Sequence, residues 1–184
     1  MSKASVEPGL ASQASSSSST SSSSRSSSPT ADFLYETFYG GAIGGSVLAL
    51  FFLVVDALAR QPLFTPSLVG TAIFTDAAVS PATEIRLDMV AYFSILHFAT
   101  FIVTGATLSG LYRILDLYAR RSTFLVALTF ALLTGGFALI GIIFATGVVP
   151  VIGLAWIVLG NLLTAFAMVT FLERAHASSK GAQG

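Results

Sequence analysis

The sequence predicts an all-α membrane protein, in which a four-transmembrane-helix bundle follows a disordered Ser-rich N-terminal tail. A short interfacial helix is expected in the first outward loop. Hydrophobic residues make up 54% of the 184 residues and charged residues only 10%, which lies outside the range usual for soluble domains. Four apolar stretches are each long enough to cross a hydrocarbon core of about 30 Å, because a helix rises roughly 1.5 Å per residue.

Composition also limits the partners and the chemistry that can be expected. The formal net charge is zero, so no basic surface is available to neutralise phosphates, and nucleic acid is excluded as a partner. The chain has no cysteine, which excludes disulfides, thiol nucleophiles and thiolate metal sites. The expected partners are the lipid bilayer and other membrane-spanning chains, in a homo-oligomer or a larger membrane complex.

Residues 1–32 form the predicted tail, which is dominated by three serine runs at 15–19, 21–24 and 26–28. Such a segment buries too little apolar surface to offset its ordering entropy, so we expect it to be disordered. No apolar h-region follows Lys3, so the segment does not match a signal peptide. The transmembrane domain is expected to cover 33–174, followed by a flexible C-terminus at 175–184.

The first span is predicted at about 38–58. Four glycines in its first half repeat at four-residue spacing, which predicts a face where a neighbouring backbone can approach closely; they are Gly40, Gly41, Gly44 and Gly45. Asp56 near the far end precedes Arg60 by four residues, the favourable order for an ion pair at the membrane interface. The alternative interpretation is an Asp56 that carries a proton or an ion.

The outward loop is predicted at 61–87 and contains two helix-start signals. Thr65 and Pro66 read as an N-cap and a first helical proline, and the apolar residues that follow predict a short helix in the interface or against the mouth of the bundle. Ser80 and Pro81 read as a second start, which would begin the next helix before the membrane.

The remaining spans are predicted at about 89–111, 123–146 and 150–172. The second carries His97, which shares a helical face with Thr100 and Thr104. The third is uncharged and rich in small residues, which predicts a centrally packed helix, and Gly147 and Pro150 predict a tight turn after it. The fourth carries Asn161 near its middle, at a depth that makes it the expected hydrogen-bond partner of His97.

The distribution of cations predicts the orientation. Four spans place seven cationic residues on the side of the termini: Lys3, Arg25, Arg113, Arg120, Arg121, Arg174 and Lys180. The other side holds Arg60 and Arg86. The positive-inside rule then predicts a multi-pass protein of the cell (inner) membrane, with both termini cytoplasmic and the long loop outside.

Catalytic chemistry is not indicated, so no enzyme activity, metal or cofactor is expected. A catalytic metal site needs about three converging ligands, and His97 and His176 fall on opposite sides of the membrane midplane. No nucleophile elbow or Walker motif occurs. The candidate intramembrane polar site comprises His97, Asn161 and Asp56, where His97 is a structural imidazole or, alternatively, a quinone, haem or proton site.

The sequence therefore favours a small non-enzymatic integral membrane protein, an accessory or structural component of a membrane complex or homo-oligomer. Two alternatives stay open at this stage. One is a small channel or transporter that uses the three intramembrane polar residues. The other is a redox-complex subunit whose imidazole contacts a quinone or haem.

Overall fold

The computed structural model describes residues 29–59, 61–75, 77–115, 122–144 and 147–181. Six helices follow in order: α1 Pro29–Leu58, α2 Phe64–Phe74, α3 Leu87–Ile114, α4 Ser122–Phe144, α5 Val148–Ile152 and α6 Leu154–Gly181. Among the described residues four helices, α1, α3, α4 and α6, are long and apolar enough to cross a membrane. The predicted all-α, four-span membrane fold is confirmed. The predicted tail lies outside the described residues as far as residue 28.

Helix boundaries differ from the predicted ones where turn signals were decisive. Helix α2 begins at Phe64, with Leu63 at its N-cap position in the left-handed region at φ 67°, so the prediction that Thr65 caps this helix is wrong. Ser80 and Pro81 start no helix, because Thr83 bonds back to Ser80 in a turn and α3 begins only at Leu87. The Ser80 hydroxyl instead accepts a local hydrogen bond from the Ala82 backbone N–H, as serine does in turns.

From Gly147 onward, where the structure describes it, the connection between the third and fourth spans contains a short helix, whereas a tight turn was predicted. Pro150 lies within α5, and the chain then breaks at Gly153, whose φ of 89° favours glycine. The fourth span therefore begins at Leu154, four residues later than predicted. The break turns the chain from α5 into α6 and leaves α5 near the loop between the first two spans.

Helix α1 is the central helix of the bundle, and its glycines lie against both neighbours. A Cβ at Gly41 would lie 2.5 Å from the carbonyl oxygen of Phe101 in α3, and one at Gly44 would lie 2.5 Å from Sδ of Met168 in α6. Gly45 faces Phe98 of α3, and Gly40 faces Leu172 of α6. The two glycine ridges thus contact two different helices, because their members lie about 100° apart around α1.

Helix α4 is peripheral, so the prediction that it packs centrally is wrong. Its principal partner is α6, and Leu125 and Thr129 also contact Tyr112 of α3. Farther along α4, a Cβ at Gly135, Gly136 or Gly141 would meet nothing within 4 Å. Small residues permit close packing, but they do not by themselves bring a neighbour against the helix.

The end of the bundle that carries α2 and α5 is called the loop end, and the opposite end, near both described chain termini, the terminal end. Leu68 and Val69 of α2 pack with Val148 of α5 in a small apolar cluster. Gly70 lies so close to the carbonyl oxygen of Met89 in α3 that a Cβ would clash with it. Helix α2 therefore packs against the mouth of the bundle.

Candidate functional site

Asp56 joins the end of the first span to the start of α2. Its carboxylate accepts a hydrogen bond from the Thr65 backbone N–H at 2.7 Å and another from the Thr65 hydroxyl at 2.6 Å. Only 4% of Asp56 is exposed. A carboxylate at a helix N-terminus is favoured because it satisfies donors that have no partner within the helix and opposes the positive end of the helix dipole. Asp56 therefore caps α2 from outside that helix.

The predicted ion pair of Asp56 with Arg60 lies outside the described residues, because Arg60 is not among them. The described partner of Asp56 is Thr65. Leu63 takes its left-handed conformation in the turn that this contact closes, between the end of α1 and the start of α2. A non-glycine residue in that conformation carries a local cost, and the two bonds to Asp56 help to hold the turn.

His97 bonds to the backbone of α1. Its Nε2 lies 2.9 Å from the carbonyl oxygen of Gly45, and since a carbonyl only accepts, Nε2 carries the hydrogen and donates it. The ring of His97 lies among three aromatic rings of its own helix, with centroid distances of 5.5, 5.4 and 4.8 Å to Phe93, Phe98 and Phe101 respectively. The imidazole thus links α3 to α1.

Asn161 links a different pair of helices. Its Nδ2 donates to the hydroxyl of Thr134 in α4 across 3.4 Å, which is longer than the roughly 2.7–3.2 Å usual for such a bond. The predicted hydrogen bond between His97 and Asn161 is wrong, because each side chain reaches a different helix. Similar depth along the membrane normal does not specify which faces of two helices meet.

His97 and Asn161 do share a cavity of about 360 Å³ in the loop-end half of the bundle. Helices α1, α3 and α4 form most of its wall, and α6 contributes Asn161. Helix α2 lies across its loop end through Thr65, Pro66, Val69 and Ile73. The wall is mainly hydrocarbon. We call it the loop-end cavity.

The hydroxyls on the α3 wall of this cavity bond within their own helix. Ser94 donates to Val90 O at 2.7 Å, Thr100 donates to Leu96 O at 2.8 Å, and Thr104 donates to Thr100 O at 2.9 Å. Thr100 and Thr104 were predicted to share a polar face with His97, and both do line the cavity with it. Their hydroxyl hydrogens are already directed to the backbone.

An ion pair at the terminal end was missed by the sequence reasoning. Glu36 of α1 is 2% exposed and accepts hydrogen bonds from Arg113 of α3, at 3.2 Å from Nε and 2.9 Å from Nη2. The Arg113 guanidinium also lies 5.7 Å from the centre of the Phe33 ring. One signal in the sequence could have indicated it: Glu36 is the single acidic residue between Phe33 and Asp56, and an acid near the start of an apolar span needs a partner.

A second missed contact at the terminal end ties α3 to α4. The hydroxyl of Tyr112, a fully buried residue, lies 2.9 Å from the Thr129 hydroxyl. The second span was predicted to end at about residue 111, but Tyr112 lies within α3 and belongs to the main apolar cluster with Leu108 and Leu125. Its polar tip has a partner, as expected for a buried tyrosine.

No group of three or more His, Asp or Glu side chains in the described part of the chain could hold a metal ion. Comparisons with protein-family models, with curated proteins and with solved structures found no match to this chain. The interpretation of its polar residues therefore depends on their own geometry.

Proposed function

We propose that the protein is a non-enzymatic integral membrane component that acts by assembly, as a structural or accessory chain in a homo-oligomer or a larger membrane complex. The observation that supports a structural, non-enzymatic role is the set of contacts made by the intramembrane polar side chains. Asp56, His97 and Asn161 each hydrogen-bond to another helix. A polar group in hydrocarbon needs such a partner, so these contacts support structural roles for the three side chains.

The channel or transporter alternative requires a polar route past the same residues. Asp56 is engaged by two donors from Thr65, and the cavity beside His97 and Asn161 has a hydrocarbon wall. These contacts favour structural roles for all three. The redox alternative requires a chromophore or quinone at His97, whose Nε2 already donates to Gly45.

The proposed orientation follows the cation distribution, with both termini in the cytoplasm and α2 on the outer side of the membrane. The positions of the cationic residues that the structure describes support this orientation. Arg113 lies in the last turn of α3 and Arg174 lies near the end of α6, both toward the terminal end, whereas Arg86 precedes α3 at the loop end.

The assembly proposal is tested by the mass of the full chain extracted from its own membrane in a mild detergent and measured by light scattering with correction for detergent. We expect a discrete species larger than one chain of 19.1 kDa, with a fixed stoichiometry. A single unaccompanied chain at every concentration would contradict the proposal. A visible absorption spectrum of the same sample tests the redox alternative, and ion flux in liposomes tests the transport alternative.

A further inference from the structure

We infer that the loop-end cavity is a binding site for one acyl chain of a phospholipid in the loop-end leaflet of the bilayer. The inference is independent of the assembly proposed above. Pockets that bind small apolar ligands measure roughly 300–1,000 Å³ and have a few polar groups in a hydrocarbon wall. The loop-end cavity, at about 360 Å³ with His97 and Asn161 in its wall, meets both conditions.

The route of entry indicates a ligand from the bilayer. Helix α2 lies across the loop end of the cavity, and Leu68 and Val69 of that helix are buried. The lining of the cavity also includes Leu53, Leu96 and Leu132 on the sides of α1, α3 and α4, and these residues are 39%, 38% and 40% exposed. The cavity therefore opens sideways, where lipid chains are the surrounding solvent.

The wall of the cavity favours an apolar ligand, because most of its hydrogen-bond donors already have partners within the protein. The Ser94, Thr100 and Thr104 hydroxyls donate to their own helix, and the Nε2–H of His97 donates to Gly45. A ligand rich in polar groups would lose its hydration and find few partners there. An apolar cavity left empty would forgo dispersion contacts with its wall, and an acyl chain restores them without any hydrogen bond.

The length of the wall suits a single acyl chain. Along α3 the wall runs from Val90 to Thr104, about 21 Å at 1.5 Å per residue. One leaflet of a hydrocarbon core of about 30 Å is about 15 Å deep, so the wall is long enough to hold an acyl chain over the whole depth of one leaflet.

Two adjacent glycines of α4 provide a matched pair of test variants. Gly136 lines the cavity and Gly135 does not, and a Cβ at either position would meet nothing within 4 Å. Gly136→Phe should therefore fill the cavity, whereas Gly135→Phe adds the same side chain outside it. Ser94→Leu is a second filling variant from the α3 wall, for use if Gly136→Phe does not fold.

The experiment is native mass spectrometry of the full chain, purified in mild detergent and exposed to dioleoyl phosphatidylglycerol, with circular dichroism to verify folding. We expect one tightly retained phospholipid per chain for the parent and for Gly135→Phe, and its loss in Gly136→Phe and Ser94→Leu. The inference is overturned if the parent retains no phospholipid or if all four proteins retain it equally. It is also overturned if the molecule that the parent retains, and that the cavity-filling variants lose, is an isoprenoid or a second copy of the chain.

Discussion

The carboxylate of Asp56 accepts both the backbone N–H and the hydroxyl of Thr65, at 2.7 and 2.6 Å, and so fixes the N-terminus of α2 to the end of α1. These two residues are nine positions apart and enclose a turn in which Leu63 has a positive φ. The contact sets where α2 lies, and α2 in turn covers the loop end of the cavity. An acid that looked like a candidate ion carrier is thus positioned as a helix cap.

Removing this carboxylate should destabilise the bundle. Asp56→Ala leaves two buried donors of Thr65 without a partner, at a cost of roughly 1–3 kcal/mol for each donor that water cannot reach. Thr65→Val is the matched control, because it removes the hydrogen bond of the hydroxyl and keeps that of the backbone N–H. Its loss of stability should be smaller than that of Asp56→Ala. Thermal unfolding in detergent, followed by circular dichroism, measures both. Equal melting temperatures for Asp56→Ala and the parent would contradict the capping role.

The buried ion pair at the terminal end should be more sensitive to loss of one partner than to loss of both. Arg113→Leu leaves the Glu36 carboxylate buried, and breaking a fully buried pair costs about 3–5 kcal/mol. For Arg113→Leu we expect the free energy of unfolding to fall by roughly 2–3 kcal/mol, because 32% of the Arg113 side chain is exposed to solvent, which weakens the pair. The double variant Glu36→Leu/Arg113→Leu should recover part of the loss. A double variant as unstable as the sum of its singles would show that the two residues are not coupled.

The α1–α3 interface should not tolerate a methyl group at Gly41. Its Cβ would lie 2.5 Å from the Phe101 carbonyl oxygen and 2.7 Å from Cα of Ile102, so the two backbones must separate. Overpacking of this kind costs roughly 1–3 kcal/mol. Gly110→Ala is the control, since nothing lies within 4 Å of that position and alanine favours helix by about 1 kcal/mol. Equal melting temperatures for Gly41→Ala and Gly110→Ala would contradict the close approach.

The orientation can be measured with single cysteines, because the chain contains none. Ser80 lies at the loop end and Ser178 near the end of α6, and both are exposed. A membrane-impermeant thiol reagent should label Ser80→Cys in intact cells and Ser178→Cys only after permeabilisation, as the cation distribution predicts. The reverse pattern would place the termini outside.

The four spans could be predicted from the sequence because membrane-crossing length and low charge are local properties of each segment. The glycine repeat likewise indicated a packing face on α1. The contacts that tie the helices together could not be predicted. Glu36 and Arg113 are 77 positions apart, and nothing in either segment alone points to the other.

Two further errors have a common physical origin. In α4, Gly135 and Gly136 are residues of the kind found where two helices pack closely, but here no neighbouring helix that the structure describes contacts them. His97 and Asn161 were paired by depth, which is one coordinate, whereas contact also requires that the two helices present those faces to each other. The rotation of a helix about its own axis depends on all the side chains packed against it, so it cannot be predicted from the residues of that helix alone.

The structural role of the intramembrane polar side chains is tested most directly at His97, by measuring the free energy of unfolding and proton flux of His97→Leu in the same proteoliposomes. Loss of the bond to Gly45 should lower the free energy of unfolding by about 0.6 kcal/mol, the average for a hydrogen bond between helices in a bilayer, with flux equal to the parent's. Unchanged stability together with abolished flux would contradict the structural role and establish His97 as a proton site.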